Sequence, residues 1–111
     1  MTNDQYSLCI TTVNDSHEAE KIASQLLQQK LVACVNIIDK VKSLYWWQGK
    51  VETDQEYLLL MKTSRSCINR LQSSLLNIHP YQTPEFIVLD ITNGSPDYLN
   101  WLSDSVKSPE N

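Results

Sequence analysis

The sequence predicts an α+β protein with the ferredoxin-like element order β-α-β-β-α-β, followed by a C-terminal helix. Apolar and β-branched residues form strand-like runs, which two stretches with helical spacing separate. A proline-rich connection precedes the last run. Because each of the first two helices would join parallel strands, both should pack on one face of the sheet.

The first strand and helix are indicated by residues 6–30. Tyr6 to Asn14 reads as a β-rich run. Asp15 has the character of an N-cap, and Glu18, three residues on, would complete a capping box. Apolar residues then recur at helical spacing, which predicts an amphipathic helix that ends near Lys30.

The next stretch, Leu31 to Trp47, is apolar and unusually long for one strand. Fully extended, its last 16 residues would span about 50 Å. A compact domain of this size has a radius of gyration of about 13 Å. The strand must therefore bend, break or protrude, and Asp39 is the expected position of the break.

A tight turn at Gln48-Gly49 should reverse the chain. Val51 to Asp54 is predicted to pair back as a short return strand. Glu56 to Thr63 forms a continuous apolar run, typical of a central strand that is covered on both faces.

The second helix should be capped by Ser64 or Ser66 and end by Ile78, because a residue before proline avoids the α region. The last strand is predicted over 85–92, with Pro84 at its start.

A final helix should begin at Ser95-Pro96, since serine and proline favour the cap and the first turn. Its expected anchors are Leu99, Trp101 and Leu102.

Three aromatic residues, Tyr45, Trp46 and Trp47, end the long strand. Neighbours on a strand point to opposite faces, so the two tryptophans cannot both face this chain's own core. A protruding hairpin with aromatic side chains on both faces predicts an oligomer. The alternative is that one tryptophan lies under the terminal helix.

Composition narrows the possible functions. The 111 residues suit one domain, 1–111, in which 1–5 and 105–111 are expected to be flexible tails. The net charge of −4 argues against nucleic-acid binding. No apolar run approaches a membrane span, and no secretory signal is recognisable. We therefore expect a cytoplasmic protein with no membrane or nucleic-acid partner. There is no phosphate-binding glycine loop, and no organic cofactor is expected.

The cysteines and histidines limit metal chemistry. The three cysteines, Cys9, Cys34 and Cys67, are widely spaced and odd in number, which fits neither a disulfide framework nor a zinc motif. They are expected to be small buried hydrophobic residues. With only two histidines, a cage of several histidines within one chain is impossible.

The connection His79-Pro80-Tyr81-Gln82-Thr83-Pro84-Glu85 (the corner) carries the candidate site. Its prolines stiffen the chain. His79 would either cap the last carbonyls of the helix, whose dipole favours the protonated ring, or act as a metal ligand. Glu85 would be solvated, paired with Lys62, or a ligand. Tyr81 is expected to pack.

The sequence resembles the CutA divalent-cation-tolerance family through motifs that cover about residues 6–102. These are LVACVN at 31–36, LYWWQGK at 44–50, KT at 62–63, HPYQTPE at 79–85 and YLNW at 98–101. The resemblance implies a ferredoxin-like subunit in a homotrimer, similar in architecture to PII signalling proteins, whose long strand pairs across subunits. It also implies a link to tolerance of divalent cations, especially copper, and proposed copper binding.

The proposed family ligands transfer only in part. His79 matches, whereas the positions of a family cysteine and a second histidine fall on Thr11 and Ile78. Cys9, two residues from Thr11, lies on the same strand face and is the substitute. The predicted ligands for Cu(II) or another divalent cation are therefore His79, Glu85 and Cys9, with Cys34 as a further candidate.

Four functions follow as hypotheses. The first is a non-catalytic trimer, assembled through Tyr45, Trp46 and Trp47, that acts in copper tolerance. The second is a PII-like small-molecule sensor or partner-binding trimer, in which Lys62 and Tyr81 line an intersubunit cleft for an anionic or polar ligand. An enzyme that uses His79 and Glu85 as acid and base is disfavoured, because no nucleophile pairing is recognisable. RNA binding is disfavoured because the third strand lacks the aromatic motif of RNA-recognition modules.

Overall fold

The computed structural model describes residues 6–107. The predicted order of elements is confirmed: an α+β fold with a four-stranded antiparallel sheet and three helices. In chain order, the elements are β1 (Tyr6–Val13), α1 (Ser16–Gln28), β2 (Cys34–Trp47), β3 (Lys50–Ser64), a short 3-10 helix (Arg65–Cys67), α2 (Ile68–Ile78), β4 (Ile87–Ile91) and α3 (Pro96–Ser105).

The sheet has the strand order β2-β3-β1-β4, so β1 and β3 are interior and β2 and β4 are edges. Helices α1 and α2 cover one face, here called the helix face. The opposite face, called the open face, carries alternate residues of the same strands, since side-chain direction alternates along a strand. Members of the open face include Leu8, Ile10, Leu58, Leu60, Lys62, Ile87 and Leu89.

The main hydrophobic core lies between the helix face and the two helices. Every second residue of β1 is buried, as expected for a strand with one covered face. The strands contribute Cys9, Val13, Leu59 and Met61, and the helices contribute Ala19, Ile22, Leu26, Leu71 and Leu75.

Helix α1 begins and ends close to the predicted positions. The Asp15 carboxylate accepts hydrogen bonds from the backbone N–H groups of His17 and Glu18, as an N-cap does. At the other end, Lys30 adopts φ 58°, and the N–H groups of Lys30 and Leu31 donate to carbonyls of the last turn. This is a Schellman termination, which glycine usually provides.

The bend predicted in the long strand is a β-bulge. Ile38 pairs with Leu58, whereas Val41 pairs with Glu56, so Asp39 and Lys40 together oppose one residue. Lys40 adopts φ 62° in the left-handed region. Beyond the bulge, β2 and β3 continue as a protruding hairpin, and the molecule measures 50 × 25 × 23 Å.

The hairpin ends in the predicted tight turn. Gln48 and Gly49 have φ values of 51° and 80°, and Trp47 pairs with Lys50. Two successive residues with positive φ are typical of a type I′ turn, whose twist matches that of the strands it joins.

The predicted bounds of the third and last strands differ from the structure. The return strand and the central strand are one continuous strand, β3, because Gln55 keeps its pairing with Lys42. The prediction that this strand is covered on both faces is wrong for the single chain, because its open-face residues Leu58, Leu60 and Lys62 are partly exposed. Strand β4 is shorter than 85–92, so Pro84 precedes it by three residues instead of starting it.

The prediction for the terminal helix is partly wrong. Helix α3 begins after Ser95 with Pro96 in its first turn. Leu102 is fully buried, but 46% of Trp101 is exposed. Ser105 closes the helix and the Lys107 N–H donates to the Lys30 carbonyl, so residues 105–107 are part of the fold. The remaining tail positions, 1–5 and 108–111, lie outside the described residues.

Within residues 6–107, no helix is both long enough and apolar enough to cross a membrane.

Candidate functional site

The His79 ring is built into the protein interior. Pro80 ends α2, and His79 leaves the helix with extended backbone angles. Its Nδ1 accepts the backbone N–H of Tyr81 at 3.1 Å, and its Nε2 lies 2.9 Å from the Thr12 carbonyl oxygen. Because Nδ1 accepts, the ring proton is on Nε2, which donates to Thr12. Both ring nitrogens thus have partners within the chain.

The protonation expected for His79 is wrong. We expected the helix dipole to favour the charged ring, but only 8% of the residue is exposed. Burial lowers the pKa of His79, against the opposing effects of the Thr12 carbonyl and of Glu56 and Glu18. The ring therefore serves as a neutral link between the corner and β1.

Cys9 faces the hydrophobic core, where it is fully buried. Burial raises the pKa of its thiol to about 12. A cysteine that binds a metal ion must be a thiolate. The environment of Cys9 therefore favours the role of a small buried hydrophobic residue, which the sequence also predicts.

A group of acidic residues lies next to Tyr81 of the corner. The Tyr81 hydroxyl donates to a Glu56 carboxylate oxygen at 2.6 Å, and only 6% of Glu56 is exposed. Partial burial, and then the neighbouring charge of Glu56, raise the pKa of Glu85. Burial and the bond to Glu56 raise the pKa of Tyr81. We call Glu56, Tyr81 and Glu85 the acidic corner.

The hairpin adds a further acidic residue, Asp54, near this group. The Tyr45 hydroxyl donates to the Asp54 carboxylate, and this bond raises the pKa of Tyr45 to about 12. Asp54 also contributes to the raised pKa of Tyr81. Among residues 6–107, the one salt bridge joins Arg65 and Asp90, so the acidic corner has no cationic partner within the described part of this chain.

The predicted metal ligands do not converge. His79 and Cys9 face the interior, whereas Glu85 is exposed. In the described chain, no three histidine, cysteine or acidic residues form a group that could hold a metal ion. One subunit alone therefore does not assemble the predicted set.

Lys62 and Tyr81 are also separated within one chain. Tyr81 contacts Glu56, and Lys62 is six positions further along β3, which corresponds to about 20 Å along a strand. Lys62 instead lies beside α3, with its Nζ 5.7 Å from the centre of the Tyr98 ring. A single cleft could contain both residues only if different subunits supplied them.

The aromatic residues of the hairpin are exposed in the single chain. The exposed fraction is 76% for Trp46 and 38% each for Tyr45 and Trp47. Trp46 lies opposite Val51 and Trp47 opposite Lys50, so the two rings point to opposite faces of the ribbon. Neither is covered by α3.

Sequence reasoning missed Glu56. The available signal was an acidic residue directly before the apolar run of β3, where a buried carboxylate needs a hydrogen-bond donor. Its donor, Tyr81, is 25 residues away, and no spacing rule connects the two.

Comparison with known proteins indicates the same family over nearly the whole described chain. Residues 7–105 match the model of the CutA1 divalent ion tolerance protein family. The Escherichia coli divalent-cation tolerance protein CutA is 39% identical over 106 residues, which cover 96% of this chain and 95% of that protein. The chloroplastic protein CutA 1 of rice is 41% identical over 96 residues and 86% of this chain. The chain spans about half, 54%, of the rice protein.

Solved structures agree with the sequence comparison. The Cut A1 protein of Thermus thermophilus superposes with a TM-score of 0.89 at 38% identity, covering 92% of this chain and 99% of that one. Rice CutA1 gives a TM-score of 0.90 at 38% identity, with coverages of 93% and 94%. The element order, the protruding hairpin and the HPYQTPE corner thus occur in a chain that belongs to the CutA divalent-cation tolerance family.

Proposed function

We propose that this protein is a non-catalytic, cytosolic homotrimer that contributes to tolerance of divalent cations, including copper. The observation that carries the proposal is the apolar surface that one chain leaves in water. Leu44, Trp46 and Val51 are each more than half exposed on the hairpin. Soluble monomers rarely expose contiguous apolar patches of this kind, which usually mark interfaces.

The open face of the sheet supports the same assembly. Ile38, Ile87 and Leu89 lie on this face and are 42 to 48% exposed. An antiparallel sheet normally has a polar outer face if that face meets water. We propose that the hairpin of each subunit, with Tyr45, Trp46 and Trp47, packs against neighbouring subunits and covers these residues.

We propose that the divalent cation, Cu(II) or another, binds at the acidic corner between subunits. Glu85 is exposed and lies close enough to Glu56 for the two charges to interact. A cation would relieve this repulsion, and carboxylate oxygens are ligands for several divalent metals. His79 and Cys9, the other predicted ligands, would have to give up their present environments, so groups of a neighbouring subunit are the more accessible partners of Glu85.

The test is a calorimetric titration of Cu(II) into the tag-free wild type and three variants. Glu85→Gln should lose cation binding, because it removes the exposed charge and keeps the size of the side chain. The control Glu20→Gln removes an exposed carboxylate on α1 and should bind as wild type does. His79→Gln distinguishes a direct ligand from a structural link.

Equal binding by wild type, Glu85→Gln and Glu20→Gln, or no binding by any of them, would contradict cation binding at the acidic corner. Loss of binding in His79→Gln with normal binding in Glu85→Gln would assign the metal to the histidine. Neither result affects the proposed trimer, which light scattering tests separately.

A PII-like small-molecule sensor is the second candidate, supported by the position of Lys62. Its ammonium group lies on the largely apolar open face beside Tyr98, where a neighbouring subunit could complete a cleft for an anionic ligand. A thermal-shift screen of nucleotides and metabolites should then find a ligand whose stabilising effect is lost in Lys62→Met. Stabilisation that persists in that variant would contradict the use of Lys62.

A further inference from the structure

Helix α3 is attached to the rest of the protein by few interactions. Leu102 is its one fully buried residue in the described chain, and it is not part of the main hydrophobic core. Tyr98 and Trp101 are 40 and 46% exposed and pack on each other, with ring centres 5.4 Å apart. The side chain of Ser95 makes no capping hydrogen bond. The main core is therefore complete without α3.

Lys107, two residues after the end of α3, is held from two sides. The Lys107 N–H donates to the Lys30 carbonyl at 2.9 Å, at the end of α1. The Lys107 carbonyl accepts from the Arg70 guanidinium and from the Cys67 thiol, the latter at 3.4 Å. We call Lys30, Cys67, Arg70 and Lys107 the C-terminal clip.

The Arg70 guanidinium group makes two contacts within this clip. Its Nη2 also contacts the Cys67 sulfur at 3.6 Å, and its buried Nε has no partner among the described residues. Hydrogen bonds from a charged group are stronger than neutral ones. The Arg70 contact is thus the charged one of three hydrogen bonds that hold Lys107 near α1 and α2.

We propose that α3 is a strap that opens from the open face as a separate unit, and that the C-terminal clip sets how often it opens. Segments with little buried apolar surface open at lower free energy than the core does. Opening would separate Tyr98 from Lys62. The inference depends on contacts within one chain and is independent of the proposed cation site.

Amide hydrogen exchange of the intact protein tests the strap. In wild type, α3 amides should exchange faster than those of β1. Arg70→Met removes the clip donor and keeps much of the side-chain volume, and it should accelerate exchange in α3 at least tenfold. The amides of β1 and α1 should be unchanged. The matched control, Arg65→Met, loses an exposed arginine that pairs with Asp90 and should leave α3 unchanged.

A second variant covers the case in which Arg70→Met fails to fold. Lys107→Pro removes the N–H that donates to Lys30, and the extended angles of Val106 tolerate a following proline. It should also accelerate exchange in α3 alone. The proposal is overturned if α3 exchanges as slowly as β1 in wild type, or if the clip variants accelerate β1 and α3 equally.

Discussion

At the residue scale, His79 connects three parts of the chain through one neutral ring. It belongs to the end of α2, donates to β1 and accepts from the corner. A protonated ring would place an N–H at Nδ1 against the Tyr81 N–H. Burial lowers the pKa of His79 in the folded protein, so the unfolded chain takes up the proton more readily.

This lowered pKa predicts the pH dependence of stability. Since the folded pKa lies below the unfolded value of about 6.5, the contribution of His79 is present above about pH 6.5 and is lost as the pH falls below it. His79→Gln should cost about 1 to 3 kcal/mol at pH 7.5, and the difference from wild type should shrink at pH 5.5. Urea unfolding at both pH values measures it.

The control for His79 is the exposed histidine His17 in the first turn of α1. His17→Gln should lower the free energy of unfolding little at either pH. A cost of His79→Gln that grows on acidification would show that the folded protein prefers the charged ring, contrary to the hydrogen-bond geometry.

A second residue-scale prediction concerns the hydroxyl of Tyr81. Tyr81→Phe removes the donor to the buried Glu56 carboxylate and should lower the free energy of unfolding by about 1 to 3 kcal/mol at pH 7. Tyr57→Phe is the matched control, because that ring packs against the same core and should change stability less. Equal urea midpoints for Tyr81→Phe and wild type would contradict the structural role of this bond.

At the scale of elements, two substitutions in the turn between β2 and β3 should change the stability of the protein in opposite directions. Gly49 has φ 80° and open space around it, so Gly49→Ala introduces backbone strain without a clash and should cost about 1 kcal/mol. Gln48 also has positive φ, which asparagine tolerates better. Gln48→Asn should therefore stabilise the hairpin.

Thermal unfolding of both turn variants checks this prediction. A stabilising Gly49→Ala would mean that the turn is not of type I′.

The bulge at Lys40 is the other element-scale feature with consequences, because it changes which residues of β2 share a face with β3. Without it, Tyr45 would not lie on the face of Asp54 and Glu56.

At the scale of the whole molecule, the unpaired apolar surface predicts the assembly. Wild type should scatter light with a mass three times the 12.8 kDa of one chain. Trp46→Glu places a charge on the most exposed tryptophan of the hairpin and should yield smaller species, since burying an unpaired charge is unfavourable.

Leu27 supplies the control for this experiment. It is an exposed apolar residue of α1, 41% accessible, on the opposite side of the sheet from the open face. Leu27→Glu should keep the trimeric mass. A wild-type mass of one chain in dilute solution would overturn the assembly, and the same mass for Trp46→Glu and wild type would exclude that residue from the interface.

Most of the elements and the excess length of one strand could be predicted from the sequence alone. Local signals carried these predictions: the Asp15 cap, the Gln48-Gly49 turn, Pro80 after α2, and strand alternation at Trp46 and Trp47. Each acts over a few residues, through backbone angles or side-chain periodicity, so it can be read without knowledge of distant partners. The motifs that resemble CutA proteins were likewise contiguous.

The role of the corner depends on contacts between residues that are far apart in the sequence. The ring of His79 meets a carbonyl 67 residues away, and Tyr81 meets a carboxylate 25 residues away. In the C-terminal clip, Lys107 contacts Lys30, which is 77 positions earlier in the sequence, and Arg70, which is 37 positions earlier. Protonation and ligand availability depend on burial and on such long-range partners. Local sequence does not contain these distances, so His79 could be predicted as a candidate but not as a buried neutral link.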